Sequence, residues 1–227
     1  MRSADSIEAA FWITERLHGI AVDVGSVVPS GFERYVRIFH PAYKSAADGT
    51  LEPVRWGAIA AANARDIRSE MNHLDFSCTP SEYSASNELL WDQSPMVGSM
   101  PPEIAHHLET ILVQHTQTSG TCWFAVWDGL PMLEVPQGAR KFRIPGRSMY
   151  LLKGAISDVR TNLSRRGSIH RSPNLWWPDD RAWCVATDID FRWTYVGGTA
   201  HCVREILAEP AMESHPTDPG EGNLMEK

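Results

Sequence analysis

One stretch, SPNLWWPDDRAWCVATDIDFRWTYVGGTAHC from Ser172 to Cys202, limits what this chain can fold into more than any other. It holds four of the nine tryptophans. Each is a large apolar body with a single N–H that needs a partner. Pro178-Asp179-Asp180 is turn chemistry, after which Trp183, Val185 and Thr187 alternate with the small residues Ala182, Cys184 and Ala186. A second turn at Asp188-Ile189-Asp190 leads to Phe191, Trp193 and Tyr195 on one face. The pattern predicts a hairpin with a bulky side and a slim side. Gly197-Gly198 then releases the chain into a helix capped by Thr199 and stopped by Pro210. Trp176 and Trp177 pose a separate problem, because successive side chains of an extended segment point to opposite sides. Either one ring lines a groove or an interface, or the second lies under a loop.

The rest of the chain reads as helices and strands in no repeating order. Apolar spacing predicts helices near 5–17, 56–68 and 101–116 in addition to the one near 199–208. Pro101-Pro102 opens the third, Glu103 suits its positive end, and Ile104, Leu108, Ile111, Leu112 and His115 form its inward stripe. Strands are expected near 32–39, 122–127, 141–144, 148–153, 181–187 and 191–196. In the first of these, apolar residues fall on both sides, as in a strand covered on both faces. The segment from Asn72 to Ser99 has no sustained period and reads as irregular loop. Such a mixture predicts a single α+β domain over 1–210, built on a mixed, mostly antiparallel sheet with packed helices. Polar, Pro- and Gly-containing residues 211–227 read as a disordered tail.

Composition narrows the partners. A net charge of −7 argues against wholesale nucleic-acid or anionic-membrane binding, although a local patch can override it. No segment approaches the roughly 20 apolar residues of a membrane span. The opening MRSADSIEAAFWITERLHGI has one early arginine followed by acids and lacks the apolar run of a secretory signal. Cys78, Cys122, Cys184 and Cys202 show no C-x-x-C spacing, so four reduced thiols in a cytoplasmic protein are expected, with no structural zinc and no cofactor.

Each chemical motif has an architectural alternative. Asp188-x-Asp190 at a strand end has the form of a pair that grips a hard cation, and equally the form of a hairpin turn. His201-Cys202 opens a helix behind two glycines, where a thiol's pKa falls and an anion is welcome; Cys202 also fits an apolar stripe with Val203, Ile206 and Leu207. His40, before a proline at a strand end, is a catalytic candidate or a satisfied hydrogen-bonding residue. Adjacent His106 and His107 point apart on a helix. No phosphate-binding glycine loop and no G-x-S-x-G elbow is present. Charge is the clearest departure from background. Between Pro136 and Ser172 nine basic residues, among them Arg143, Arg147, Arg165, Arg166 and Arg171, face only Asp158. Arginine clusters bind phosphate and carboxylate, or else pair with the acidic remainder of the same chain.

The combination VGSVVPSGFERYVRIFHPA, VRWGAIAAANAR, CWFAVWDG and SPNLWWPDDRAWCVATDIDFRWTYVGG resembles a family of uncharacterised cytoplasmic actinobacterial proteins from Ile7 to Pro210. The resemblance implies a bacterial, soluble, single-unit protein and brings no activity, cofactor or catalytic residue. A looser likeness links the Pro101-Pro102 helix and the strand ending in Asp128-Gly129 to SUKH-type immunity proteins, whose usual Asn-Gly is Asp-Gly here.

Three functions follow as expectations. The first is a non-catalytic binding or regulatory module, of immunity type, that meets a protein or an anionic small molecule through Trp176, Trp177 and the arginines of 140–171. The second is an enzyme acting on a phosphorylated or other anionic small molecule, which requires His40, Asp188, Asp190, His201 or Cys202 to converge in one cleft. The third is nucleic-acid binding through the basic segment.

Overall fold

The computed structural model describes residues 1–20, 22–66, 71–73 and 90–222. A short strand β1 (Arg2–Ser3) precedes a 3-10 turn that runs into α1 (Phe11–Arg16). β2 (Arg34–Phe39) follows, then a small two-stranded unit of β3 (Ala42–Ser45) and β4 (Leu51–Val54), and α2 (Trp56–Ala62). α3 (Pro102–Leu112), extended by a 3-10 turn to His115, leads to β5 (Cys122–Trp127), β6 (Arg140–Ile144) and β7 (Arg147–Gly154). β8 (Leu175–Pro178), β9 (Cys184–Ala186), β10 (Trp193–Gly198), α4 (Ala200–Ala208) and β11 (Glu213–Thr217) complete the order.

Nine strands form one sheet in the order β1-β7-β5-β8-β9-β10-β2-β11, with β6 beside β1 on the outer edge of β7. Every pairing in it is antiparallel. Strands such as CWFAVW have no polar side to offer water, so the sheet is covered on both faces. Cys122, Phe124 and Val126 face a layer built from α3 and α4, through Ile104, Leu108, Leu112, Val203 and Ile206. Trp123 and Ala125 face the opposite layer, in which α1 and α2 contribute Trp12, Ile13, Trp56 and Ile59. The chain is thus a single α+β domain with helices on both faces of its sheet. No helix among the described residues is long and apolar enough to cross a membrane.

The hairpin forms, but without the expected bulky and slim sides. Tyr195 pairs with Ala186, Val196 with Val185 and Gly197 with Cys184, so Trp193 and Tyr195 share a face with the small residues Cys184 and Ala186 while Trp183 and Val185 face the other layer. The Trp193 and Tyr195 face holds a buried cation that the strand pattern does not announce. Arg37 of β2 is 1% exposed, with its guanidinium carbon 3.8 Å from the Trp193 ring centroid and 4.9 Å from that of Phe39. Desolvated contacts of this kind stabilise a guanidinium against aromatic faces.

Several boundaries shift. The expected helix near 5–17 is shorter and begins as a 3-10 turn, and the one near 56–68 ends its α-helical run at Ala62, with 67–68 outside the described residues. The strand near 181–187 shrinks to Cys184–Ala186. Most of the segment read as irregular loop lies outside the described residues, as does Cys78.

The largest correction concerns the tail. Residues 213–217 are a sheet strand, paired along β2 from Glu213 opposite Phe39 to Thr217 opposite Tyr35. Main-chain hydrogen bonds hold an edge strand without an apolar pattern, and Pro216 is tolerated at an edge. The Glu213 carboxylate also accepts the N–H groups of Trp56 and Gly57 at 2.6 and 2.8 Å, supplying the cap that α2 lacks in its own sequence. Gly222 still bridges to Asp23, and only 223–227 fall outside the described residues.

Candidate functional site

β8 sits in the middle of the doubly covered sheet, and this decides the fate of the tandem tryptophans. Trp176 packs in the α3/α4 layer, edge-on to Trp183 at 5.0 Å. Trp177 packs in the α1/α2 layer, edge-on to Trp12 at 5.9 Å. Each is 1% exposed, so neither lines a partner surface, contrary to expectation. The alternation of the strand sends them to opposite sides, and both sides are interior.

Asp188, His40 and Cys202 are likewise turned inward. Arg147, at the start of β7, grips the Asp188 carboxylate with both terminal nitrogens, Nη2 lying 3.0 Å from Oδ1. Asp190 is 3.8 Å from the same guanidinium but points to solvent, 68% exposed against 6% for Asp188. The arginine therefore takes the place that a cation shared by Asp188 and Asp190 would take. Arg147 is correspondingly committed within the chain rather than presented to a partner. Beside it, Asn174, Thr187 and Asp188 line a recess of about 30 Å³. That is room for a water or two and not for a phosphorylated metabolite.

His40 is fully buried. The Met96 carbonyl at 2.7 Å can only accept, so Nδ1 carries the proton and Nε2 accepts from the Thr194 hydroxyl at 2.9 Å. Burial pushes its pKa down to about 4, which keeps the ring neutral. Cys202 packs under α4 while its N–H donates to the Thr199 hydroxyl. Burial pushes its thiol up to about 12, the reverse of an activated nucleophile. His40 and Cys202 are structural groups, and the hydrogen-bond and ion-pair partners of His40, Asp188 and His201 have no residue in common.

His201 lies open on the outer face of α4, and it has company that spacing in the sequence does not bring together. His115, at the end of the α3 extension, places Nε2 2.7 Å from Glu205 Oε2, and His201 Nε2 is 3.2 Å from Glu205 Oε1. The apolar stripe of α3 places His115 inward, and Glu205 belongs to no motif in the sequence. The only local signal was the one-turn spacing of His201 and Glu205.

The basic segment divides. Lys141 is bonded to Asp128 at 3.0 Å and Arg160 to Glu109 at 2.9 Å, as internal pairing requires. Arg171 is half-buried, whereas Arg143, Arg165 and Arg166 are exposed with no ion pair among the described residues. The loop that carries the last two is firmly held. Asn162 Oδ1 accepts from Ser164 N and Arg171 N, both at 3.0 Å, and its Nδ2 donates to the Ile169 carbonyl at 2.9 Å. Arg165 N reaches the Met132 carbonyl and Arg166 N the Ser164 hydroxyl. Met132, 46% exposed, thus lies next to the two arginines.

A concavity of about 1020 Å³ lies elsewhere, between α4 and the β2/β11 edge. Its lining mixes Arg34 and Arg204 with Asp218 and Glu221, and none of the expected site residues takes part in it. No family model, curated protein or solved structure matches the chain.

Proposed function

We propose that the chain is a non-catalytic binding module that captures an acidic protein surface through the loop at 162–171. The observation that supports this reading is the fixed presentation of Arg165 and Arg166. Their side chains are exposed and without acid partners among the described residues, on a backbone pinned by Asn162. A loop backbone that is already ordered loses little freedom when its guanidinium groups meet carboxylates, and the adjoining Met132 offers apolar contact beside them. Arg143 on β6 is likewise exposed without an ion pair among the described residues. Capture of a protein partner is also the role that the loose SUKH-type likeness implies. The net charge of −7 makes an acidic polypeptide surface a better fit than duplex DNA, whose denser phosphate charge is repelled more strongly by the acidic body around a small basic face.

Binding to poly-L-glutamate and to duplex DNA of similar charge, followed by interferometry at low salt, tests the proposal. Capture of poly-L-glutamate that weakens with salt, with weaker retention of DNA, supports it. Equal or tighter retention of DNA assigns the loop to nucleic acid, and retention of neither polyanion removes the proposal.

A further inference from the structure

We propose that His115, His201 and Glu205 form a divalent transition-metal site, of the kind that takes Zn2+, which ties α3 to α4 and leaves one coordination position open to water. The donor atoms of the three side chains lie within 4.8 Å of one another. Ligands held about 2.1 Å from a four-coordinate ion at tetrahedral angles stand roughly 3.4 Å apart, so a small rotation of the exposed His201 side chain closes the arrangement around an ion. The chemistry of the set is selective. Two imidazoles with one carboxylate suit zinc and its neighbours, whereas calcium and magnesium take oxygen ligands. Both Nε2 atoms already aim at the two Glu205 oxygens, at 2.7 and 3.2 Å, and the rings meet edge-to-face at 5.2 Å.

The positions that carry these ligands are fixed from behind. Trp183 Nε1 donates to the Leu112 carbonyl at 3.1 Å, three residues before His115. Immediately after it, the Thr116 hydroxyl and the Gln117 N–H are both held by the Asp180 carboxylate. On the other helix, Thr199 caps the first turn of α4 and the Glu33 carboxylate accepts the Ala200 N–H at 2.8 Å, directly ahead of His201. The His115 side chain is 11% exposed while His201 and Glu205 are open, at 66% and 43%. An ion would therefore sit at the surface with its inner ligand anchored and its outer side wet. Cys202, next in the chain, turns into the core and does not join the set. The site is independent of the arginine loop, and neither depends on the other.

The test uses the full chain without an affinity tag, stripped with a chelator and titrated with ZnCl2 by calorimetry. One Zn2+ per chain is expected, with His201→Ala and Glu205→Gln each weakening it about tenfold or more. The metal-free melting temperature of His201→Ala should equal that of metal-free wild type, because this side chain is exposed. Co2+ should give the visible bands of a four-coordinate ion in wild type and lose them in both variants. Absence of stoichiometric binding in wild type, or wild-type affinity in either variant, overturns the assignment.

Discussion

Arg147 and Asp188, 41 residues apart in sequence, form a two-pronged ion pair in which the carboxylate is 6% exposed and the guanidinium 15%. A pair this enclosed is sensitive to the loss of one member, because the survivor keeps its charge without a partner. Asp188→Ala should destabilise the fold by about 3 kcal/mol or more, while the double change Arg147→Met with Asp188→Leu should recover much of that loss. Urea unfolding of both proteins checks this, and a single variant as mild as an ordinary surface substitution would contradict the burial of the pair.

The tandem tryptophans give a symmetrical expectation. Trp176→Ala and Trp177→Ala open cavities in different layers, and each should cost about 3–5 kcal/mol. If one of them proves nearly neutral in the same unfolding assay, that ring is on a surface and the doubly covered position of β8 is wrong.

Much of this architecture is legible in the residues, and the exceptions share a cause. β5 and α3 announce themselves by apolar content and a 3.6-residue period, and the β9–β10 hairpin by alternation between turns. β8 is four residues long, contains two tryptophans and ends in proline, so its pattern does not say that both faces are covered. β11 has no apolar signature because it is held by main-chain bonds to β2. The site residues follow the same division. Local sequence showed an acid pair, a His-Cys pair and a run of arginines. Tertiary pairing decided which were consumed, since Asp188 finds its arginine 41 residues away and His115 finds Glu205 90 residues away.

Acid should weaken the fold through its buried histidines. His40 and His73 are both pushed down to about 4 by burial, whereas in the unfolded chain they titrate near 6.5. Between those values the unfolded state binds more protons, so their contribution is intact above about pH 6.5, falls as pH drops, and levels off below about pH 4. For His40 alone the loss at about pH 5 is on the order of 2 kcal/mol. Urea midpoints between about pH 7.5 and pH 5 should fall less steeply in His40→Gln than in wild type. Parallel curves for the two proteins would show that His40 is not held neutral.

The arginine loop should depend on Asn162 for its order. Asn162→Ala removes three local hydrogen bonds without touching either core, so the melting temperature should change little while trypsin cleavage after Arg165 and Arg166 accelerates. Cleavage at the wild-type rate would mean that the loop is ordered by something else.

Reversal of the loop's charge reaches the central claim. The Arg165→Glu, Arg166→Glu protein should keep the wild-type melting temperature, since both side chains are exposed and unpaired among the described residues. Its affinity for poly-L-glutamate, followed between about 50 and 200 mM salt, should fall about tenfold or more at the lowest salt, and the salt dependence should flatten. A folded variant that binds the polyanion as wild type does, with the same dependence on salt, would contradict capture through this loop.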